Sequence, residues 1–79
     1  MLISIGAGGE LRNLLKPNID QYTMQIEVPE GVTIREIINT IGIKIELIAV
    51  VHTKGKIQRF DYVPRDGDII ILQPPVSGG

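Results

Sequence analysis

The segment Val32 to Gly42, VTIREIINTIG, carries its own start, its own buried face and its own stop. Thr33 supplies the side-chain oxygen of an N-cap, and Glu36 stands three residues on, where it can close a capping box. Val32, just before the cap, can pack on Ile37 as a hydrophobic staple. Ile34, Ile37, Ile38 and Ile41 recur at i, i+3, i+4 and i+7, so one face is apolar and has to be covered. Gly42 suits the left-handed residue that ends a helix. One short helix with one isoleucine stripe is predicted, and the rest of the chain must supply the surface on which that stripe rests.

The other apolar segments have the period of strands. Leu2 to Ile5 places Ile3 and Ile5 on one face. Gly6-Ala7-Gly8-Gly9 then reads as a glycine-rich turn into one or two helical turns bearing Leu11, Leu14 and Leu15, stopped at Lys16 by Pro17. It is not the dinucleotide fingerprint, whose third glycine would fall where Leu11 stands. Asn18 to Gln21 is a loop. Tyr22, Met24, Ile26 and Val28 alternate with Thr23, Gln25 and Glu27 as a half-buried strand, and Pro29-Glu30-Gly31 turns the chain into the helix. Beyond it, Ile43 to Glu46 connects to Leu47–Val51, apolar enough for a buried strand. Thr53-Lys54-Gly55-Lys56 turns back into Ile57 to Phe60 as a hairpin partner. Asp61 to Val63 is irregular before Pro64, Asp66-Gly67-Asp68 is a tight turn, and Ile69–Leu72 is another buried strand. Pro74 and Pro75 end it, having no amide hydrogen to give a ladder. This order predicts a two-layer α+β domain: a mixed, mainly antiparallel sheet of four to five strands packed on one helix, with the second sheet face left partly free for a partner.

Composition removes several functions. Seventy-nine residues hold one core. At 43% hydrophobic the chain has too much apolar material for a disordered segment, yet no run long enough to span a bilayer. The net charge is −1 and the basic residues are scattered among the acids, which disfavours nucleic-acid binding. The start lacks a basic leader and a cleavage site, so the cytoplasm is the expected location. Without cysteine there is no disulfide, no thiolate zinc site and no thiol nucleophile, and any sulfur chemistry must use sulfur from elsewhere. His52, the single histidine, builds neither a metal site nor a triad alone and reads as a strand-end residue half in water.

Four stretches taken together, Val28-Pro29-Glu30-Gly31-Val32-Thr33-Ile34-Arg35-Glu36-Ile37, Gly42-Ile43, Arg65-Asp66-Gly67-Asp68 and the final Gln73-Pro74-Pro75-Val76-Ser77-Gly78-Gly79, resemble the ubiquitin-like sulfur-carrier proteins of the β-grasp fold. Within them the pattern is most similar to the small subunit of molybdopterin synthase, whose tails carry Pro-Pro-Val and end in Gly-Gly. Gln73 stands where relatives often have an aromatic residue, and Gly6 to Gly9 stand where they continue the first strand with bulky residues. The thiamine-biosynthesis carrier, or a carrier for another sulfur-transfer pathway, is therefore kept as the alternative.

The resemblance implies a β-grasp domain over residues 1–73 and a flexible C-terminal tail over 74–79. It implies no catalysis by the chain alone and no permanently bound cofactor. A ubiquitin-activating-type partner would use ATP and magnesium to adenylate Gly79, whose carboxylate would become a thiocarboxylate. The synthase large subunit, or an equivalent acceptor enzyme, would then take the sulfur. In the tail, Pro74 and Pro75 favour extended geometry and reduce the entropy lost on binding. Six extended residues reach roughly 20 Å at about 3.4 Å each. The resemblance implies a partner-binding tail of Pro74, Pro75, Val76, Ser77 and Gly78, in which Val76 is the candidate apolar anchor or only a spacer, and Gly78 and Gly79 leave the terminal carboxyl unshielded. Phe60 and Leu72 fit either the core or a partner-binding face. Arg65, Asp66 and Asp68 read as solvated turn residues. A ubiquitin-like protein modifier and a plain interaction module are the rival functions.

Overall fold

The helix forms where its signals lie. In the computed structural model, which describes residues 1–15 and 23–75, α1 runs Ile34–Ile41. The Thr33 hydroxyl oxygen accepts from the Glu36 N–H at 3.2 Å, and the Glu36 carboxylate accepts from the Thr33 N–H at 3.2 Å, so the capping box closes in both directions. Gly42 ends the helix at φ +86, its N–H donating to the carbonyls of Ile38 and Asn39. Two further amides at the helix start are satisfied by the loop that passes it: Ile34 N–H donates to Tyr62 O and Arg35 N–H to Phe60 O, each at 2.9 Å. Ile34, Ile37 and Ile38 are buried and Ile41 is half-buried, as the stripe requires.

The surface beneath the stripe is a five-stranded sheet formed by β1 (Leu2–Ala7), β2 (Thr23–Glu27), β3 (Val50–Thr53), β4 (Lys56–Gln58) and β5 (Ile69–Gln73). Their spatial order is β2-β1-β5-β3-β4. The pairs β1·β2, β3·β5 and β3·β4 are antiparallel, and β1·β5 is parallel. The first and last strands thus meet at the centre. Ile3 and Ile5 of β1, Ile70 and Leu72 of β5 and Val51 of β3 are buried with the helix isoleucines in one core. A short 3₁₀ helix, Gly9–Asn13, follows β1 and contributes buried Leu11, with Leu15 buried just beyond it. No helix among the described residues is long and apolar enough to cross a membrane.

Several sequence expectations shift. Gly6 and Ala7 continue β1, and the turn begins only at Gly8. Leu47–Val51 is not one buried strand: Ile45–Leu47 forms a second 3₁₀ turn, Leu47 and Ala49 are exposed, and β3 begins at Val50. An apolar run this short does not distinguish a helical turn from a strand by its pattern. The hairpin partner is Lys56–Gln58 rather than Ile57–Phe60, joined through Lys54 at φ +54 and Gly55 at φ +73. These two left-handed residues match the twist of a two-residue hairpin. Phe60 falls in the turn after β4. β5 is buried on one face only, since Ile70 and Leu72 point inward while Ile69 is 58% exposed. The expected helix stop at Lys16 and Pro17, the loop Asn18 to Gln21 and the strand start at Tyr22 lie outside the described residues.

The Arg65–Asp68 turn also departs from a solvated reading. Asp68 is buried, with its carboxylate accepting from the Arg65 N–H at 2.9 Å and lying 3.6 Å from the Lys54 ammonium. Asp66 accepts from the Leu2 N–H at 2.6 Å, and Gly67 N–H donates to Leu2 O at 2.8 Å. The turn residues therefore fasten the start of β1 to the start of β5.

Candidate functional site

β5 leads directly to the C-terminal tail. At its end Gly8 N–H donates to Leu72 O at 2.9 Å, and Ala49 N–H donates to Gln73 O at 2.8 Å. The strand is thus held from both sides up to its last residue. Pro74 follows half-buried and Pro75 exposed, both outside the ladder, because a proline has no amide hydrogen to continue it. Val76, Ser77, Gly78 and Gly79 lie outside the described residues.

The two candidate interface residues are placed differently from the tail. Leu72 is 0% exposed and sits in the core, so it offers no surface to a partner. Phe60 is half-buried against the core, with the Arg35 guanidinium 5.8 Å from its ring centroid. Arg35 is close enough for a weak cation–π contact, and its backbone N–H holds the Phe60 carbonyl. Phe60 therefore serves to pin the β4 exit loop to the helix start.

The outward sheet face, expected to be left partly free for a partner, presents an apolar surface. The strand registers place Thr23, Gly6, Ile71, His52 and Ile57 in one row across the sheet. Ile57 is 70% exposed and Ile69 58%. Shallow grooves flank Ile71. One, of about 500 Å³, is lined by Gly6, Gly8, Gly9, Arg12 and Thr23. The other, of about 390 Å³, is lined by His52, Lys54, Gly55, Ile69 and Gln73. The signal for this face was present in Ile69-Ile70-Ile71-Leu72, because four successive apolar residues in a strand put two on each side. Among the described residues no three His, Cys, Asp or Glu side chains gather as metal ligands would.

The chain can be set beside known proteins on this geometry. It aligns over 100% of its length, and 100% of the other chain, with SAMP1 from Haloferax volcanii, at a TM-score of 0.74 and 18% identity. It aligns with equal coverage to a chain in a complex of subunits 1 and 2 of the molybdopterin-converting factor from Helicobacter pylori 26695, at a TM-score of 0.58 and 21% identity. At these identities the likeness shows the fold, a ubiquitin-like β-grasp. No curated protein matches the sequence. The family model described as Mut7-C ubiquitin matches residues 1–77, and the chain belongs to that family.

Proposed function

We propose that the chain is a sulfur carrier whose cargo is held at Gly79 and delivered to molybdopterin synthesis for a molybdenum or tungsten cofactor. The observation that carries this reading is the placement of β5. The central strand, bonded on both sides as far as Gln73, hands the chain to Pro74-Pro75 and from there to Gly78-Gly79. Such a root presents a narrow, side-chain-free end to a partner while the domain stays folded. The similarity to a chain from a complex of two molybdopterin-converting factor subunits supports a large-subunit partner that accepts the sulfur.

In the proposed cycle a carboxylate oxygen of Gly79 attacks the α-phosphorus of ATP within an adenylating partner, and pyrophosphate leaves with magnesium. The terminal sulfur of a persulfide donor then attacks the carbonyl carbon, and AMP departs. A thiol takes the donor's remaining sulfur as a disulfide, which frees the C-terminal thiocarboxylate. Both sulfurs come from outside the chain, which has no cysteine. The outward face around Ile57, Ile69 and Ile71 is the proposed docking surface for these enzymes, and His52 with Lys54 supplies a polar border.

Intact mass after incubation with the adenylating enzyme, ATP and a persulfide donor tests the reading. A species heavier by the difference between sulfur and oxygen, lost when Gly79 is deleted, is the expected result. An unchanged mass under loading conditions would overturn it in favour of an interaction module working through the sheet face. A second reading, a ubiquitin-like modifier, is favoured by the ubiquitin description of the family and shares the adenylation step. Conjugates to protein lysines, rather than sulfur transfer to a small acceptor, would establish it.

A further inference from the structure

Gly9 adopts φ +53, and a Cβ built there would lie 2.9 Å from Cγ of Pro74 and 3.6 Å from its Cδ. Four other described glycines, Gly31, Gly42, Gly55 and Gly67, share a left-handed φ, but a Cβ at any of them would meet nothing within 4 Å. Among the described glycines, only Gly9 combines a left-handed φ with a close approach to another residue. The atom approached belongs to a proline ring, which is fused to the backbone and can yield only by changing its pucker or by moving the chain. Gly8, next to it, is tied to β5 by the Gly8 N–H to Leu72 O bond, so the Gly8-Gly9 turn cannot drift away from the strand end.

We infer that Gly9 is a positioning residue that sets the direction in which the C-terminal tail leaves the sheet. Its effect on chemistry rests on the carrier reading; its effect on the tail does not. Carbon atoms in ordinary contact stand about 3.5–4.0 Å apart, so a methyl group at position 9 displaces the Pro74 ring by roughly 0.6–1 Å. Pivoting at Gln73, one Cα–Cα step of about 3.8 Å away, that displacement turns the chain by roughly 10–15°. That turn is imposed at Pro74, where the tail leaves the sheet. A reacting group misplaced by even about 1 Å can lose on the order of 100-fold in rate.

The test uses the full chain as Gly9→Ala, Pro74→Ala, the double variant and Gly31→Ala, the last at a left-handed φ of +88 with nothing near its Cβ. Because the protein has no cysteine, Ala49→Cys places a single nitroxide on an exposed residue beside the tail root. Paramagnetic broadening of the Gly78 and Gly79 amide signals then reports tail direction without any partner. Gly9→Ala should change that broadening more than twofold and Gly31→Ala should leave it unchanged. Adding Gly9→Ala to Pro74→Ala should have no further effect. In ATP–pyrophosphate exchange with the adenylating enzyme, Gly9→Ala should lower kcat about tenfold while KM for the carrier stays within about threefold. Equal behaviour of Gly9→Ala and Gly31→Ala, or an undiminished effect of Gly9→Ala when Pro74 is alanine, would overturn the inference. If Gly9→Ala fails to fold, recovery of folding in the double variant supports the ring contact. If the double variant also fails to fold while Pro74→Ala and Gly31→Ala fold, the Pro74 ring is not what Gly9→Ala offends, and the inference falls. Absence of exchange by the unaltered chain would count against the carrier reading, and the broadening would still decide the role of Gly9.

Discussion

Replacing Leu72 with alanine should be among the most damaging single changes in the chain, and replacing Ile69 on the same strand should be nearly harmless. Leu72 is fully buried, opposite buried Val51 of β3 and beside Ala7 of β1, whereas Ile69 is 58% exposed on the outward face. Truncation of leucine removes the equivalent of three carbon groups, about 2.4 kcal/mol at roughly 0.8 kcal/mol each. The cavity left between helix and sheet raises the cost to about 3–4 kcal/mol. A 79-residue domain has a total stability of about 4–12 kcal/mol, so Leu72→Ala removes about a quarter or more of it. The midpoint of thermal unfolding should fall by about 12 °C or more, at 4–8 °C per kcal/mol for a domain of this size. Urea unfolding followed by circular dichroism measures both variants, with an unchanged slope showing that only stability has moved. Ile69→Ala should cost less than about 1 kcal/mol. A Leu72→Ala cost below about 1 kcal/mol, or equal costs at the two positions, would refute the assignment of inward and outward faces.

Asp68→Ala should destabilise by about 1–3 kcal/mol, because the Arg65 N–H loses its buried acceptor. Lys54→Ala should cost under about 1 kcal/mol, since the Lys54 side chain is 62% exposed and its 3.6 Å ion pair is screened. Equal losses in urea unfolding would show that the ion pair, and not the turn hydrogen bond, is what matters. Ile57→Lys should leave stability within about 0.5 kcal/mol, the side chain being 70% exposed, yet raise KM for the adenylating enzyme about tenfold in pyrophosphate exchange. An unchanged KM would remove Ile57 from the docking surface.

The fold was legible where local signals and tertiary needs agree. Thr33, Glu36, the isoleucine stripe and Gly42 specify a helix without outside help, and the helix appears with both halves of its capping box made. The Lys54-Gly55 turn and the end of β5 before Pro74 were legible for the same reason, because proline and left-handed residues act through their own backbones. What failed depended on neighbours. Leu47 to Val51 is uniformly apolar, and only the pairing of Val50 with Gln73 and Val51 with Leu72 decides where the strand begins. Asp68 looked like a solvated turn residue because a sequence does not show that the Arg65 amide and Lys54 converge on it. The proposed site, Pro74-Pro75 with Gly78-Gly79, is drawn from the sequence itself. A sequence does not show how close position 9 comes to the Pro74 ring, since the two lie 65 positions apart in the chain.

The placement of β5 connects these observations. A tail that is drawn into a partner's active site pulls on the strand from which it grows, and an edge strand at a terminus frays readily. Here that strand lies between a parallel and an antiparallel neighbour, and its last two carbonyls accept from Gly8 and Ala49. The ladder then stops at Gln73, because Pro74 and Pro75 have no hydrogen to donate. The same strand turns Ile70 and Leu72 into the core and Ile69 and Ile71 toward the outward face. An enzyme that docks on that face therefore grips the element that leads to the tail. With docking on that face as proposed, one strand fixes the distance from it to Pro74, and the closeness of position 9 to the Pro74 ring sets the direction in which the tail starts.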